Sequence, residues 1–231
     1  MNARNALIAS LPRGARVDFM KRCEHVQLVF GEVLCEADRR ISHAYFPIQG
    51  FISRTCILDD HQPLEVGLIG SEGMLGSTIV LGVDQAPIRA VVQGDGTALR
   101  ISTADLRGEL RRPSQMSDIM RRYLYLLVSQ LARSSACVRF HELAPRLARW
   151  LLMTHDRSHS DHFYLTHEFL ANMLGVRRSG VSMAAADLKR RKLIRYSRGQ
   201  IHVLDRKGLE AASCTCYAIQ ARQESAFRTA R

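Results

Sequence analysis

At 231 residues the chain is long enough for two modest hydrophobic cores, and its 46% hydrophobic content excludes a disordered or fibrous protein. The formal net charge of +11 is lopsided: residues 1–138 hold 16 Lys and Arg against 14 Asp and Glu, whereas residues 139–231 hold 17 against 8. A basic excess so confined suits nucleic acid better than a membrane surface, since no long basic amphipathic helix with large apolar residues goes with it. With no run of 18 apolar residues and only a short apolar N-terminal stretch, the expected location is cytoplasmic, without membrane contact.

In chain order, residues 5 to about 24 read as one or two short helices broken at Pro12-Arg13-Gly14. From Val26 the texture turns to short β-rich runs: Val26 to Phe30, Glu32 to Cys35, His43 to Phe46, Phe51 to Leu58, Leu64 to Ile69, Ile88 to Val92 and Thr97 to Ile101. Turn signals separate them at Gly31, Pro47-Ile48-Gln49-Gly50, Asp59-Asp60, Gly70, Gly82 and Gly94-Asp95-Gly96. Many short strands at fairly even spacing predict a small antiparallel barrel or jelly roll. Ser102-Thr103-Ala104-Asp105 has the form of a capping box opening a short helix that Pro113 ends.

From Ser114 a longer helix is expected to about Ala136, on the order of 35 Å long at about 1.5 Å per residue, more than one small barrel covers. Met116, Met120, Tyr123, Leu127 and Leu131 form one apolar stripe, and Ile119, Leu124, Leu126 and Val128 a second. The two stripes can make a single broad core face within one chain, but a helix apolar on two sides more naturally packs on its own barrel and on a symmetry mate. Cys137 to Glu142 then reads as a hinge. The helix from Leu143 to Thr154, with Pro145 tolerated in its first turn and Leu147, Trp150, Leu151 and Met153 inward, would floor a second domain. His155 to His162 reads as a polar loop.

Leu165 to Ile194 carries the most specific pattern. Thr166 is a good N-cap, Phe169, Leu170, Met173 and Leu174 recur at helical spacing, and Gly175 stops the helix where a positive φ is needed. A second helix from Arg178 to about Arg190 buries Val181, Ala184, Ala185 and Leu188. Its other face shows Arg178, Ser179, Ser182 and Met183, with Arg177 leading in and Lys189, Arg190, Arg191 and Lys192 at the far end. The pair resembles a bacterial helix-turn-helix, whose second helix enters the major groove. Arg195 to Leu204 follows as strand, Gly199 turn, strand, a wing able to lay Arg198 on a phosphate. Asp205 can cap a last short helix through Leu209, and the remaining tail keeps helix-forming residues and ends too polar to belong to a core.

The order β-barrel, long helix, helix-turn-helix, wing resembles the Crp/Fnr superfamily of bacterial transcription regulators over nearly the whole length. The likeness rests on Gly31-Glu32-Val33-Leu34, Tyr45-Phe46-Pro47 with Gly50-Phe51-Ile52-Ser53, Gly73-Met74-Leu75-Gly76, and Leu170 to Arg178. Arg198-Gly199, Asp205-Arg206 and Cys214-Thr215-Cys216-Tyr217 look like a branch whose signals are mostly unassigned. The resemblance implies an α+β protein: a cyclic-nucleotide-binding-like sensor barrel over residues 1–113, a dimerisation helix and hinge over 114–138, and a winged helix-turn-helix over 139–231. It further implies a homodimer that reads an inverted repeat in double-stranded DNA, with RNA polymerase as a further partner and no enzymatic activity. Arg178, Ser179, Ser182 and Met183 are expected on bases. Thr166, His167, Arg177, Lys189, Arg191 and Arg198 are expected on phosphates, and Met116, Met120, Tyr123, Leu127 and Leu131 at the dimer interface.

Nucleotide-binding members of that superfamily use a Gly-Glu pair for the ribose and an Arg-Ser pair for the cyclic phosphate. The corresponding places here hold Gly76-Ser77 and Ala86-Pro87, with Arg89 three residues off, and Leu131-Ala132 where such members set hydroxyls against the purine. Without those charge-assisted bonds the effector is unknown and is not expected to be cyclic AMP, and no cofactor is predicted. Cys23, Cys35 and Cys56 lack the spacing of an iron–sulfur ligand set, and six scattered cysteines make no disulfide framework. Two rivals remain: a metal or redox site at Cys214 and Cys216, although two thiols leave a tetrahedral zinc half-ligated, and a metal site, even a metal-dependent hydrolase, built on His155, His159, His162 and His167 with Asp156 and Asp161. The latter segment has no H-E-x-x-H helix, so solvated histidines and no metal are expected.

Overall fold

The computed structural model describes residues 5–58, 61–111 and 114–229, with side chains to 227. The Asp59-Asp60 turn signal and the Pro113 stop lie outside the described residues. The chain divides into two compact units, residues 1–55, 67–129 and 224–231 in the first, residues 56–66 and 130–223 in the second.

The first unit opens with α1 (Ala6–Ala9) and α2 (Arg13–Met20), broken where Pro12 predicts. Buried Asn5 pins α1: its Oδ1 accepts from Leu7 N at 3.1 Å while its Nδ2 donates to Pro47 O and Gly73 O at 3.0 and 2.8 Å. Strands β1 (Glu24–Leu28), β2 (Val33–Cys35), β3 (His43–Cys56), β4 (Leu64–Ile69) and β5 (Arg89–Ser102) form a five-stranded sheet in the order β1-β5-β3-β4, with β2 also on β5.

Two expected turns are not turns. β3 and β5 each run 14 residues through them, paired from His43↔Ser102 to Thr55↔Arg89 with bulges between Pro47 and Ile52. A Cβ on Gly50 would stand 2.3 Å from Gly94 O, and one on Gly96 would stand 2.2 Å from Gln49 O. These glycines therefore let two backbones cross closely at a bend, a use of glycine that local sequence does not separate from a chain reversal.

The capping box holds as read: Ser102 Oγ accepts from Asp105 N at 3.0 Å and opens α3 (Thr103–Leu110). The long helix α4 spans Gln115–Phe140, so the segment read as a hinge from Cys137 is still helical. Met116, Met120, Tyr123 and Leu127 do not lie on a free face. They are buried with Ile119 and Leu126 in the core of their own unit, alongside Phe46, Leu99 and Ile101. Tyr123 Oη accepts from Met74 N at 3.0 Å and donates to Met74 O at 3.3 Å, seating the Gly73-Met74-Leu75-Gly76 loop on the helix. The face left open carries Tyr125 and Val128, 74% and 65% exposed, and Leu131 at 39%.

The second unit is floored by α5 (Leu143–Ser158), beyond whose polar end a short loop gives way to strand β6 (His162–Tyr164). Helices α6 (His167–Leu174) and α7 (Arg178–Arg190) follow, then β7 (Ile194–Ser197), β8 (Gln200–Val203) and α8 (Arg206–Ala212), with the three strands ordered β6-β8-β7. Buried Leu147, Leu151 and Leu152 carry α5 onto α7 and α8, and Trp150 meets Phe169 edge-on, ring centres 6.4 Å apart.

The polar tail is a helix, α9 (Thr215–Thr229). Its start buries Cys216, Tyr217 and Gln220, a narrow stripe at helical spacing that its overall polarity hides. In the first unit its end sets Phe227 against Tyr123, ring centres 6.3 Å apart. No helix among the described residues is long and apolar enough to cross a membrane.

Candidate nucleic-acid interface

The geometry of α6 and α7 is set by local capping. Thr166 Oγ1 accepts from Phe169 N at 3.1 Å and starts α6. Gly175, at φ 64° and ψ 44°, ends it: Val176 N donates to Ala171 O at 3.0 Å and Gly175 N to Asn172 O at 3.2 Å, the paired bonds of a Schellman motif. Arg146 Nη2 from α5 donates to a remaining helix-end carbonyl, Leu174 O, at 2.6 Å. The turn between the helices is thus fixed by the backbone and by one guanidinium.

α7 buries Val181, Ala184, Ala185 and Leu188. Arg177, Arg178, Ser179 and Met183 stand exposed, Met183 at 71%. Arg177 is the N-cap residue and supplies no side-chain acceptor, so the first turn of α7 offers backbone N–H groups without a side-chain cap beside two guanidinium groups that have no partner among the described residues.

Ser182 is more enclosed than its neighbours: its Oγ donates to Arg178 O at 3.1 Å and lies 2.9 Å from His167 Nδ1. His167 is placed otherwise than a phosphate contact. Its ring stacks on Tyr196 with centres 4.5 Å apart and 11° between planes, and its Nε2 is buried without a hydrogen bond. With the Ser182 hydroxyl hydrogen on Arg178 O, the imidazole donates from Nδ1 and leaves Nε2 bare. Burial first, and the charge of Arg178 second, hold its pKa below the ordinary 6.5, which matches a neutral ring. His167 and Ser182 therefore bolt α6 to α7, a role that sequence periodicity does not disclose.

The wing turns tightly. Arg198 at φ 49° and Gly199 at φ 81° are its two central residues between Ser197 and Gln200, both left-handed as a primed hairpin turn requires. A Cβ on Gly199 would stand 2.7 Å from the Tyr164 ring, so position 199 has no room for a side chain. Arg198 is exposed at the tip. Lys189 Nζ reaches Tyr196 O at 3.4 Å, and Asp187 pairs with Arg190 and, at 3.6 Å, with Arg191. Such surface pairs hold their partners weakly, at about 0 to 1 kcal/mol, and give way readily to a phosphate.

The histidine-rich segment does not converge on a metal site. His155 is held by Asp161 and Arg206, each at 2.6 Å, Asp156 by Arg206 and the Tyr217 hydroxyl, and His162 lies against His202. The group that does bring ligand atoms together is Cys137, His141, Cys214 and Cys216, so the C-x-C pair has two companions that the sequence reading missed. Spacing offers a faint signal for them, Cys137 and His141 being one helical turn apart.

Residues 145–212 match the family model of the Crp-like helix-turn-helix domain. Among solved structures the chain is similar to a Crp/Fnr-family protein of Eubacterium rectale, at 16% identity and TM-score 0.71 over 89% of this chain and 96% of that one. The segment 145–212 is thus a Crp-like helix-turn-helix domain by sequence, and the chain shares the fold of that Crp/Fnr-family protein. FixK2 of Bradyrhizobium japonicum has the same fold at 14% identity and TM-score 0.67, covering 83% of this chain and 98% of its own. A Crp/Fnr transcriptional regulator of Thermus thermophilus does so at 21% and 0.66, covering 82% and 98%. No curated protein sequence matches. In the first unit Gly76 is left-handed at φ 90° before a 3₁₀ turn at Ser77–Leu81, Ala86 is buried, and Arg89 donates to Glu36 at 3.2 Å.

Proposed function

We propose that the protein is a homodimeric, sequence-specific, duplex-DNA-binding transcription regulator of the cytoplasm, working with RNA polymerase and without enzymatic activity. The observation that carries this reading is the open N-terminus of α7, where Arg177, Arg178, Ser179 and Met183 stand exposed, followed in the chain by a wing whose tip exposes Arg198. Arg178 and Met183 read base edges, with Ser179 between them; Ser182, tied to His167, sets their height above the groove. Resemblance to the superfamily puts Arg178 on guanine, where a bidentate contact discriminates by about 1 to 3 kcal/mol. Arg177, Lys189, Arg191 and Arg198 hold phosphates, with Thr166 N at the start of α6 as a further donor.

Two copies meet along the open face of α4, through Tyr125, Val128 and Leu131, and so present two α7 helices to one duplex. Half-site centres about 10 base pairs apart, or a multiple of the helical repeat, follow from two-fold symmetry. Selection of bound duplexes from a random library by the full-length protein tests this. An inverted repeat at that spacing is expected; recovery of unrelated duplexes, or of a lone half-site with no symmetric partner, overturns the reading.

Cyclic AMP is not the signal. Gly76-Ser77 and Ala86-Pro87 offer neither a ribose carboxylate nor a phosphate guanidinium, and Arg89 is engaged with Glu36. Operator affinity should be the same with and without cyclic AMP at physiological concentration. Saturable binding in calorimetry, coupled to tighter operator binding, would contradict this.

A further inference from the structure

We propose that Cys137, His141, Cys214 and Cys216 form a four-ligand site for a zinc ion. Cys137 and His141 lie one turn apart at the C-terminal end of α4, with His141 N donating to Cys137 O at 3.1 Å, so both side chains leave the same face. Cys214 and Cys216 flank the start of α9. Cys214 N is tied to Pro145 O at 3.3 Å and Tyr217 N to Cys214 O at 3.0 Å, which holds the C-x-C backbone against the beginning of α5.

All four ligand atoms fall within 4.8 Å of one another, and the three cysteines are buried. Zinc at about 2.3 Å from sulfur and about 2.0 to 2.1 Å from nitrogen has tetrahedral edges of roughly 3.8 Å between sulfurs and roughly 3.5 Å between sulfur and nitrogen. The Sγ atoms of Cys137 and Cys214 are 3.6 Å apart, and Cys216 Sγ is 3.6 Å from His141 Nδ1. The spacing is that of ligands around a shared centre, and it is too long for a disulfide bond of about 2.05 Å.

Arg149 supplies the second observation. Its Nη1 lies 3.8 Å from Cys137 Sγ, its Nη2 donates to Gln220 Oε1 at 3.2 Å, and its Nε is buried without a hydrogen bond. Neutral thiols give a guanidinium little reason to turn inward. Three thiolates and a neutral imidazole on a divalent cation carry one net negative charge, which Arg149 balances as an outer partner of the Cys137 sulfur. Binding sends the thiol protons to solvent and changes no oxidation state. The ion fastens the end of α4 and the start of α9 within the DNA-reading unit; zinc is preferred because a closed set of three soft sulfurs and one imidazole nitrogen leaves no open position.

The test uses full-length protein purified under reducing conditions. Elemental analysis should find about one zinc per chain that survives dialysis, and cobalt loading should give the visible bands of a tetrahedral thiolate site. Cys214→Ser should lose the metal while Cys56→Ser keeps it. Should Cys214→Ser misfold, thiol titration of the wild type with an organomercurial still decides, because zinc should be released as about three thiols react. A wild-type protein that retains neither zinc nor cobalt, or that retains metal equally well in folded Cys214→Ser, overturns the site, as does a Cys137–Cys214 disulfide formed in metal-free protein with no zinc uptake after reduction.

Discussion

Arg178 and Arg198 are both exposed arginines without partners among the described residues, yet the proposed reading gives them different work because of what lies next to them. Arg178 sits at an open helix N-terminus with Ser179 and Met183 on the same face; Arg198 sits at a hairpin tip that has no base-reading neighbour. Arg178→Ala should therefore weaken the selected operator by about 1 to 3 kcal/mol and leave random duplex nearly unaffected. Arg198→Ala, like Lys189→Ala, should weaken both alike and lower the salt slope by about 1. Competition binding at several salt concentrations checks the pair, and equal losses on operator and random DNA from Arg178→Ala would refute its role. That these residues stand on the surface was legible in the sequence, because the caps at Thr166 and Gly175 are local and fix α6 and the turn from which α7 starts. That Ser182 and His167 face each other was not, since the contact depends on how α6 packs on α7.

At the scale of the element, α4 shows how a periodicity is read correctly and assigned to the wrong neighbour. Met116, Met120, Tyr123 and Leu127 of the first stripe and Ile119 and Leu126 of the second share one core with their own barrel, and the open side is the one with Tyr125 and Val128. Sequence spacing gives the angle between two stripes and says nothing of which meets the barrel. A carboxylate at Leu127 would consequently report on folding, as burying an unpaired charge in that core costs several kcal/mol. A double replacement at the open face, Tyr125→Glu with Val128→Glu, should instead yield folded monomers with most operator affinity lost. Sedimentation together with circular dichroism measures both properties, and a dimer of unchanged affinity would mean that α4 contributes no seam. The same limit hid the buried stripe of α9, which is too narrow to show through its polar composition, and with it the approach of Cys214 and Cys216 to Cys137 and His141 at the end of α4.

For the whole molecule, the N-terminal barrel, long helix and winged helix-turn-helix were readable from element order, because each has a period or a cap of its own. The unbroken β3 and β5 were not, since a glycine at a crossing of two backbones and a glycine at a chain reversal look alike until the partner strand is known. One residue links the stability of the entire fold to its task. Arg198 is held left-handed at φ 49°, where a residue other than glycine or asparagine costs roughly 1 kcal/mol or more. The wing thus carries a built-in trade-off: Arg198→Asn should relax the turn and raise the melting temperature of the DNA-reading unit while weakening duplex binding. An evolutionary or laboratory search for thermal stability alone would be drawn to discard the very side chain proposed to hold the phosphate backbone. Calorimetric melting beside duplex affinity of that variant measures the exchange, and a lower melting temperature would show that the strain is not there.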